Sequence, residues 1–249
     1  MIISTLISAA LLTSFSSSEI KTFTVDGVER KATIIAPSNP KNAPVIFGFH
    51  GHGGNMRNAQ RSFKMEQVWP EAIVIYMEGL PTKTPNDPRG QRNGWQVSAR
   101  IHEDRDLKFF DAVWKDTQAK FKPNNKQVFA MGHSNGGRFT YLLWAERPNV
   151  FKAFAPSGSP ALRMNLTPKP AFHLMGETDA IVSPDDQKTT IEKLKKLNGC
   201  NENGKAVAQY TTRFAGKNGN DVETFIHPGG HNYPAAVPRL IVDFWKSLK

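Results

Sequence analysis

The sequence has one cysteine, Cys200, in 249 residues. No disulfide can therefore form within the chain, and the fold must hold by burial alone. Cys200 sits in Leu197-Asn198-Gly199-Cys200, just past a helical pattern, and reads as an idle thiol far from any nucleophile. No repeat and no low-complexity tract interrupts the chain, and 39% hydrophobic with 22% charged residues excludes a disordered protein. After the first fifteen residues no apolar run approaches membrane-spanning length, so stable membrane insertion is excluded. Basic residues outnumber acidic ones for a formal net charge of +10, yet no basic block is interleaved with aromatics. Lys193, Lys195 and Lys196 are typical, spread along a helical pattern as a solvated face rather than a nucleic-acid platform. His50 and His52 have no cysteine or carboxylate at ligand spacing, so no metal is expected. No obligate protein partner is evident.

What is present begins with residues 1–15, apolar and rich in Ile, Leu, Ala and Ser. Ser16-Ser17-Ser18 and an abrupt change to charged, strand-like sequence at Glu19 follow. This pattern reads as a secretory signal peptide over residues 1–18, although no Lys or Arg precedes the apolar stretch. The expected location is secreted or periplasmic. Residues 19–249 then fit one α/β domain with length enough for a substantial core.

The chain is organised around Gly132-His133-Ser134-Asn135-Gly136, which fits G-x-S-x-G. A β-prone run, Gln127 to Met131, precedes it, and a helical pattern follows from Gly137. A serine at the tip of such a strand-to-helix turn is held in strained backbone, with glycines leaving room for close packing. The turn also sets the N–H of Asn135 near a helix start, where it can receive a developing oxyanion.

Other strand ends supply the remaining groups. Two β-prone runs split by Asp26-Gly27 suggest an antiparallel hairpin, and the continuous apolar run Val45 to Phe49 suggests a central strand. His50-Gly51-His52-Gly53-Gly54-Asn55 follows it, and the His52 backbone N–H is the natural second oxyanion donor. A helix over 59–69 and a strand over 72–76 continue a βαβ pattern. The long Pro-, Gly- and Arg-rich stretch 78–104 is expected at the site's rim, with Trp95 touching substrate and Arg89 or Arg92 as weaker candidates. Asp106 reads as a helix-start residue. Strands over 150–155 and 170–175 come next. Asp179, four residues past the second, is placed to orient a histidine, with Glu177 as the alternative. Asp185 and Asp186 suit the first turn of a helix begun by Ser183-Pro184. After the last strand, His231 in a Gly- and Pro-flanked loop is free to reach Ser134, and His227 is the less favoured base. The order Ser134, Asp179, His231 is serine, acid, histidine. A terminal helix over 237–248 closes the chain.

The stretches His50-Gly51-x-Gly53-Gly54, Gly132-x-Ser134-Asn135-Gly136-Gly137, Gly176-x-x-Asp179 and Gly229-Gly230-His231-x-x-Pro234 resemble the secreted poly(3-hydroxybutyrate) depolymerase and feruloyl esterase-like family of α/β-hydrolases. The resemblance runs from about Thr22 to the C-terminus. It implies an α/β-hydrolase fold, a mostly parallel sheet with helices on both faces, and carboxylic ester hydrolysis without a cofactor. The implied substrate is a feruloyl or acetyl ester of polysaccharide, or a hydroxyalkanoate polyester, and it can be polymeric. Tyr233 stands where members commonly carry Trp, which makes it a candidate substrate contact. Cys200 matches one half of a disulfide that members often have, without its partner. A serine peptidase or thioesterase on the same fold, and a non-catalytic polymer-binding protein, are the alternatives.

Overall fold

The computed structural model describes residues 17–161 and 163–248. The expected leader lies outside these residues except for Ser17 and Ser18, which begin the first strand and pair with Ala36 and Ile35.

In chain order the first half comprises β1 (Ser17–Val25), β2 (Val28–Ala36), β3 (Val45–Phe49), α1 (Met56–Phe63), α2 (Met65–Val68), β4 (Ile73–Met77), β5 (Leu80–Pro81), β6 (Asn93–Gly94) and α3 (Arg105–Phe121). The second half comprises β7 (Val128–His133), α4 (Asn135–Glu146), β8 (Ala153–Ser157), β9 (Ala171–Gly176), α5 (Pro184–Leu197), β10 (Lys205–Ala208), β11 (Thr211–Phe214), β12 (Val222–His227) and α6 (Val237–Ser247). The main sheet runs β1-β2-β4-β3-β7-β8-β9-β12-β11-β10. Its centre, from β4 to β12, is parallel, and both flanks are antiparallel.

Strand periodicity explains the layers. Successive side chains of a strand face opposite ways, so Val45, Phe47 and Phe49 enter one core while Ile46 enters the other. β4 divides likewise, with Ile73, Ile75 and Met77 on one side and Val74 and Tyr76 on the other. The first core receives Phe110 and Val113 of α3, Leu143 and Trp144 of α4 and Leu194 of α5. The second receives Phe63 of α1, Met65 of α2 and Ile241 and Trp245 of α6. The sheet is thus covered on both faces, which is the α/β-hydrolase arrangement.

Some elements differ from expectation. The single helix over 59–69 is two, because Lys64 takes a left-handed conformation (φ 47°) and the Met65 N–H is taken by the Tyr76 hydroxyl at 2.9 Å. The strand expected over 150–155 is shifted to Ala153–Ser157. The polar stretch before β12 holds the edge hairpin β10–β11, whose first strand is exposed throughout. Asp106 lies in the first turn of α3, wholly buried, where its carboxylate binds Arg30 at 2.7 Å and accepts the Gln96 N–H at 2.7 Å. It is an anchor of the 78–104 stretch as well as a helix-start residue.

Candidate active site

The C-terminal ends of β3, β7, β8, β9 and β12 define the site, as parallel strands bring these ends to one edge. Ser134 stands between β7 and α4 with φ 59° and ψ −122°, a conformation that non-glycine residues rarely adopt. Surrounding packing fixes it: the Ser134 N–H donates to the Ser157 carbonyl at 2.8 Å, and a side chain on Gly132 or Gly136 would collide with the Gly136 or Phe49 carbonyl. That strain is what presents the hydroxyl at the tip of the turn.

His231, in the loop after β12, is joined to Asp179, in the loop after β9, by a 2.7 Å hydrogen bond from Nδ1 to Oδ2. The Asp179 carboxylate is further held by the N–H groups of Ile181 and Val182, each at 2.9 Å, and by the Gln187 side-chain amide at 3.2 Å. Burial pushes this carboxyl up, and the bonds from His231, Val182 and Ile181 more than offset it, leaving it below its ordinary value. It therefore stays ionised and acceptor-only. Nε2 of His231 is buried with no hydrogen-bond partner among the described residues, Ser134 included. The ring packs at a 37° tilt against that of His133, the neighbour of Ser134, at a centroid separation of 4.7 Å. His227 instead turns inward, its Nδ1 accepting the Gly229 N–H at 3.1 Å. Among the described residues the Glu177 carboxylate makes no hydrogen bond, whereas its N–H donates to the His227 carbonyl.

The loop after β3 is set by its own histidine. Nδ1 of His50 donates to the Gly51 carbonyl at 2.8 Å, and Nε2 accepts the Gly79 N–H at 2.9 Å. Burial pushes the His50 ring down to about 4, so it is neutral near pH 7. The Gly51 carbonyl also accepts the Gly54 N–H at 3.0 Å. With that carbonyl held on one side, the trans peptide turns the His52 N–H the opposite way. The His52 ring contacts Asp87 at 3.2 Å and has no metal-ligand set around it. Among the described residues no cluster of His, Cys, Asp and Glu could hold a metal ion.

Trp95 is placed differently from expectation. It is wholly buried, stacked on Phe139 and edge-on to Phe49, and its Nε1–H donates to the His50 carbonyl at 2.9 Å. Its main chain is clamped by the Asn135 side chain, which accepts the Trp95 N–H at 2.7 Å and donates to its carbonyl at 3.1 Å. Trp95 is therefore a strut joining the 78–104 stretch to the loop after β3 and to the elbow, and it presents no face to a substrate. Sequence reasoning missed this role of the Asn135 side chain. Tyr233 packs edge-on against Phe63 and His133, and with His50, Gly51, Ser62, Phe63 and His133 it lines a small cavity of about 70 Å³.

A larger depression of about 970 Å³, lined by residues such as Asn124, Lys126, Asn149, Lys169, Asn220 and Asp221, lies before β7, β8, β9 and β12. It is at the opposite edge of the sheet from Ser134, and its amides and lysines include no serine–histidine pair.

No family model matches the sequence. A probable feruloyl esterase C of Aspergillus clavatus is 31% identical over 114 residues, 44% of this chain and 37% of that protein. Feruloyl esterase C of Emericella nidulans is 26% identical over 211 residues, 79% of this chain and 72% of that protein. A bifunctional acetylxylan esterase/xylanase of Neocallimastix patriciarum is 23% identical, and the chain spans 27% of its length. Among solved structures, acetyl xylan esterase from Aspergillus awamori superposes with a TM-score of 0.67 at 17% identity, covering 91% of this chain and 98% of that one. The Staphylococcus aureus fluorophosphonate-binding serine hydrolase F gives 0.64 at 15%, covering 92% and 98%. The structural likenesses bear on the fold and the sequence likenesses on descent; together they make the chain a distant relative of the fungal and bacterial feruloyl- and acetylxylan-esterase-like α/β-hydrolases.

Proposed function

We propose that the protein is an exported serine esterase that cleaves acyl esters of polysaccharide through an acyl-enzyme. The observation that carries this reading is the His231–Asp179 hydrogen bond, with the opposite ring nitrogen unpartnered among the described residues and the ring packed against that of the residue before a strained serine. Ser134 Oγ attacks the ester carbonyl while His231 Nε2 takes its proton. Asp179 holds the Nδ1–H and stabilises the imidazolium. The N–H groups of His52 and Asn135 receive the oxyanion, a pair whose single loss would cost about 3 kcal/mol in the barrier. The imidazolium then protonates the leaving alkoxide, and water, deprotonated by the same ring, releases the acid from Ser134. The apolar residues 1–15 support export.

The small cavity between the loop after β3, α1 and Tyr233 supports a short acyl group such as acetyl over a bulky feruloyl group. The relatives' names, acetylxylan and feruloyl esterase, favour a polysaccharide ester over a hydroxyalkanoate polyester. The test is product release from acetylated xylan, methyl ferulate, a hydroxybutyrate oligomer and a short nitrophenyl ester, beside matched thioester and aminoacyl-amide substrates. Activity on acetylated xylan that falls by about 10⁶ in Ser134→Ala is the expected result. Turnover surviving in pure Ser134→Ala would overturn the mechanism, and preference for the amide or thioester would overturn the substrate class.

A further inference from the structure

His133, the residue before Ser134, is held on several sides. Its Nδ1 lies 2.9 Å from the Ser157 hydroxyl, which is itself 3.1 Å from the Gly132 carbonyl. The His231 ring packs against the His133 ring at 4.7 Å with the planes tilted by 37°, and the Tyr233 ring meets it edge-on at 5.8 Å. A third wall is Gly158, at φ 57°, where an added Cβ would stand 2.9 Å from Cε1 of His133 and 3.0 Å from Cε1 of His231. Three separate strand ends meet on this one imidazole: β7, which carries it, β8 through Ser157, and the loop after β12 through His231.

We infer that His133 is a positioning residue for His231, tying the loop that carries it to the elbow so that Nε2 comes within reach of Ser134. The inference rests on the esterase reading given above. The loop after β12 has no regular structure between His227 and Val237, and the Asp179 bond alone leaves the imidazole free to swing about one axis. The His133 ring packed against it, itself fixed by Ser157, and the Gly158 backbone that walls both rings remove that freedom. A displacement of about 1 Å between a base and its nucleophile can cost a hundredfold in rate.

The charge state of His133 fits the role. Burial, then the neighbouring His231, pushes it down to about 4. The groups that face it are His231, Asp179 and His227 from the loops and strand end on one side, and the neutral Ser157 and Tyr233 on the others. A neutral imidazole offers one donor and one acceptor; because the Ser157 hydroxyl gives its proton to the Gly132 carbonyl, the His133 Nδ1–H is the donor to Ser157 Oγ. It also places no positive charge beside the imidazolium that forms during turnover.

The experiment compares His133→Phe, which keeps an aromatic face and loses both nitrogens, with His133→Gln, which keeps a donor and an acceptor and loses the ring. The readouts are kcat and KM on the best ester, the melting temperature, and the low-field proton resonance of the His231 Nδ1–H bridging to Asp179. His133→Phe should lower kcat about a hundredfold, leave KM within about twofold, and broaden or shift the low-field proton in a protein that still melts cooperatively. His133→Gln should recover part of the rate. Unchanged kcat and an unchanged resonance in both variants would overturn the inference, as would a loss of rate that tracks the folded fraction alone. Because the resonance is read without substrate, failure of the esterase assay in the parent protein would sink the functional reading and leave this test standing.

Discussion

At the scale of single residues, Trp95 separates two readings by measurement. As a strut, it satisfies the His50 carbonyl with its Nε1–H in a fully buried place. Trp95→Phe removes that donor and should cost about 1–3 kcal/mol, the range for a buried acceptor left unsatisfied. The melting temperature falls while KM on ester substrates stays within about twofold. A large rise in KM at unchanged stability would restore Trp95 as a substrate contact. The sequence misleads here because a tryptophan set between Gly94 and Gln96 in a Gly-, Pro- and Arg-rich stretch reads as a loop residue, whereas its stacking partner Phe139 and its clamp Asn135 are some forty positions away. By contrast, the elbow and the loops bearing Asp179 and His231 are legible locally: the residue types lie just past apolar runs that can only be strands. Their mutual geometry is not local, and neither the bonds fixing Asp179 nor the contacts of His133 could be read from spacing.

At the scale of elements, the stretch between β4 and α3 is held by a buried charge cluster. Arg30 of β2 binds Asp106 of α3 at 2.7 Å, both side chains almost wholly enclosed. Asp106 also takes the Gln96 N–H, while the Gln96 side chain accepts the Asp106 N–H at 3.0 Å. Arg30 additionally donates to the carbonyls of Glu78 and Arg105, each at 3.2 Å, and stacks on Phe109. Removing one partner of such a pair strands the other, so Asp106→Ala should destabilise the fold by about 3–5 kcal/mol. It should also speed proteolytic cutting within 78–104, because Gln96, next to the Trp95 strut, loses its anchor. Urea unfolding combined with limited proteolysis checks both effects, and a variant as stable and as resistant as the parent would show that this cluster does not hold the stretch. Asp106 was legible only as a helix-start residue because Arg30 lies far earlier in the chain, in an antiparallel flank strand. The hairpin β10–β11 escaped for another reason. Lys205–Ala208 is exposed at the sheet's edge, so burial never imposed on it the alternation by which a strand is recognised. The split of the expected 59–69 helix at Lys64 likewise depends on a Tyr76 hydroxyl contributed by β4.

For the whole molecule, buried neutral histidines set the response to acid. His50 and His173 are both buried, and burial pushes them from 6.5 down to about 4 and about 3. His173, on β9, is wholly buried, with Nδ1 at 2.7 Å from the Tyr141 hydroxyl and Nε2 without a partner among the described residues. In the unfolded chain each ring gains its proton as pH falls through the ordinary value of 6.5, whereas in the folded protein it stays neutral until pH reaches the lowered value. Between these limits the unfolded state binds more protons, so stability falls as pH falls. Their full shifts correspond to contributions on the order of 3–5 kcal/mol each. His133, pushed to about 4, adds in the same direction. Glu223, whose carboxyl is raised mainly by burial, acts with the opposite sign, since it holds its proton longer in the folded state. Asp179, Asp87 and Asp104 are lowered and contribute their loss only below the ordinary carboxylate range. Acid weakening should therefore begin at about pH 6.5, well above the carboxylates, and be steepest at about pH 5, midway between the ordinary and the lowered values. Urea midpoints measured at steps from about pH 7.5 to about pH 4.5 test this. A midpoint constant down to about pH 5 would mean that these rings accept protons inside the folded protein or that burial does not keep them neutral. A progressive fall, reduced in a variant that replaces His173 with an uncharged side chain of similar volume, would tie the acid limit of the fold to histidines that the proposed chemistry does not use.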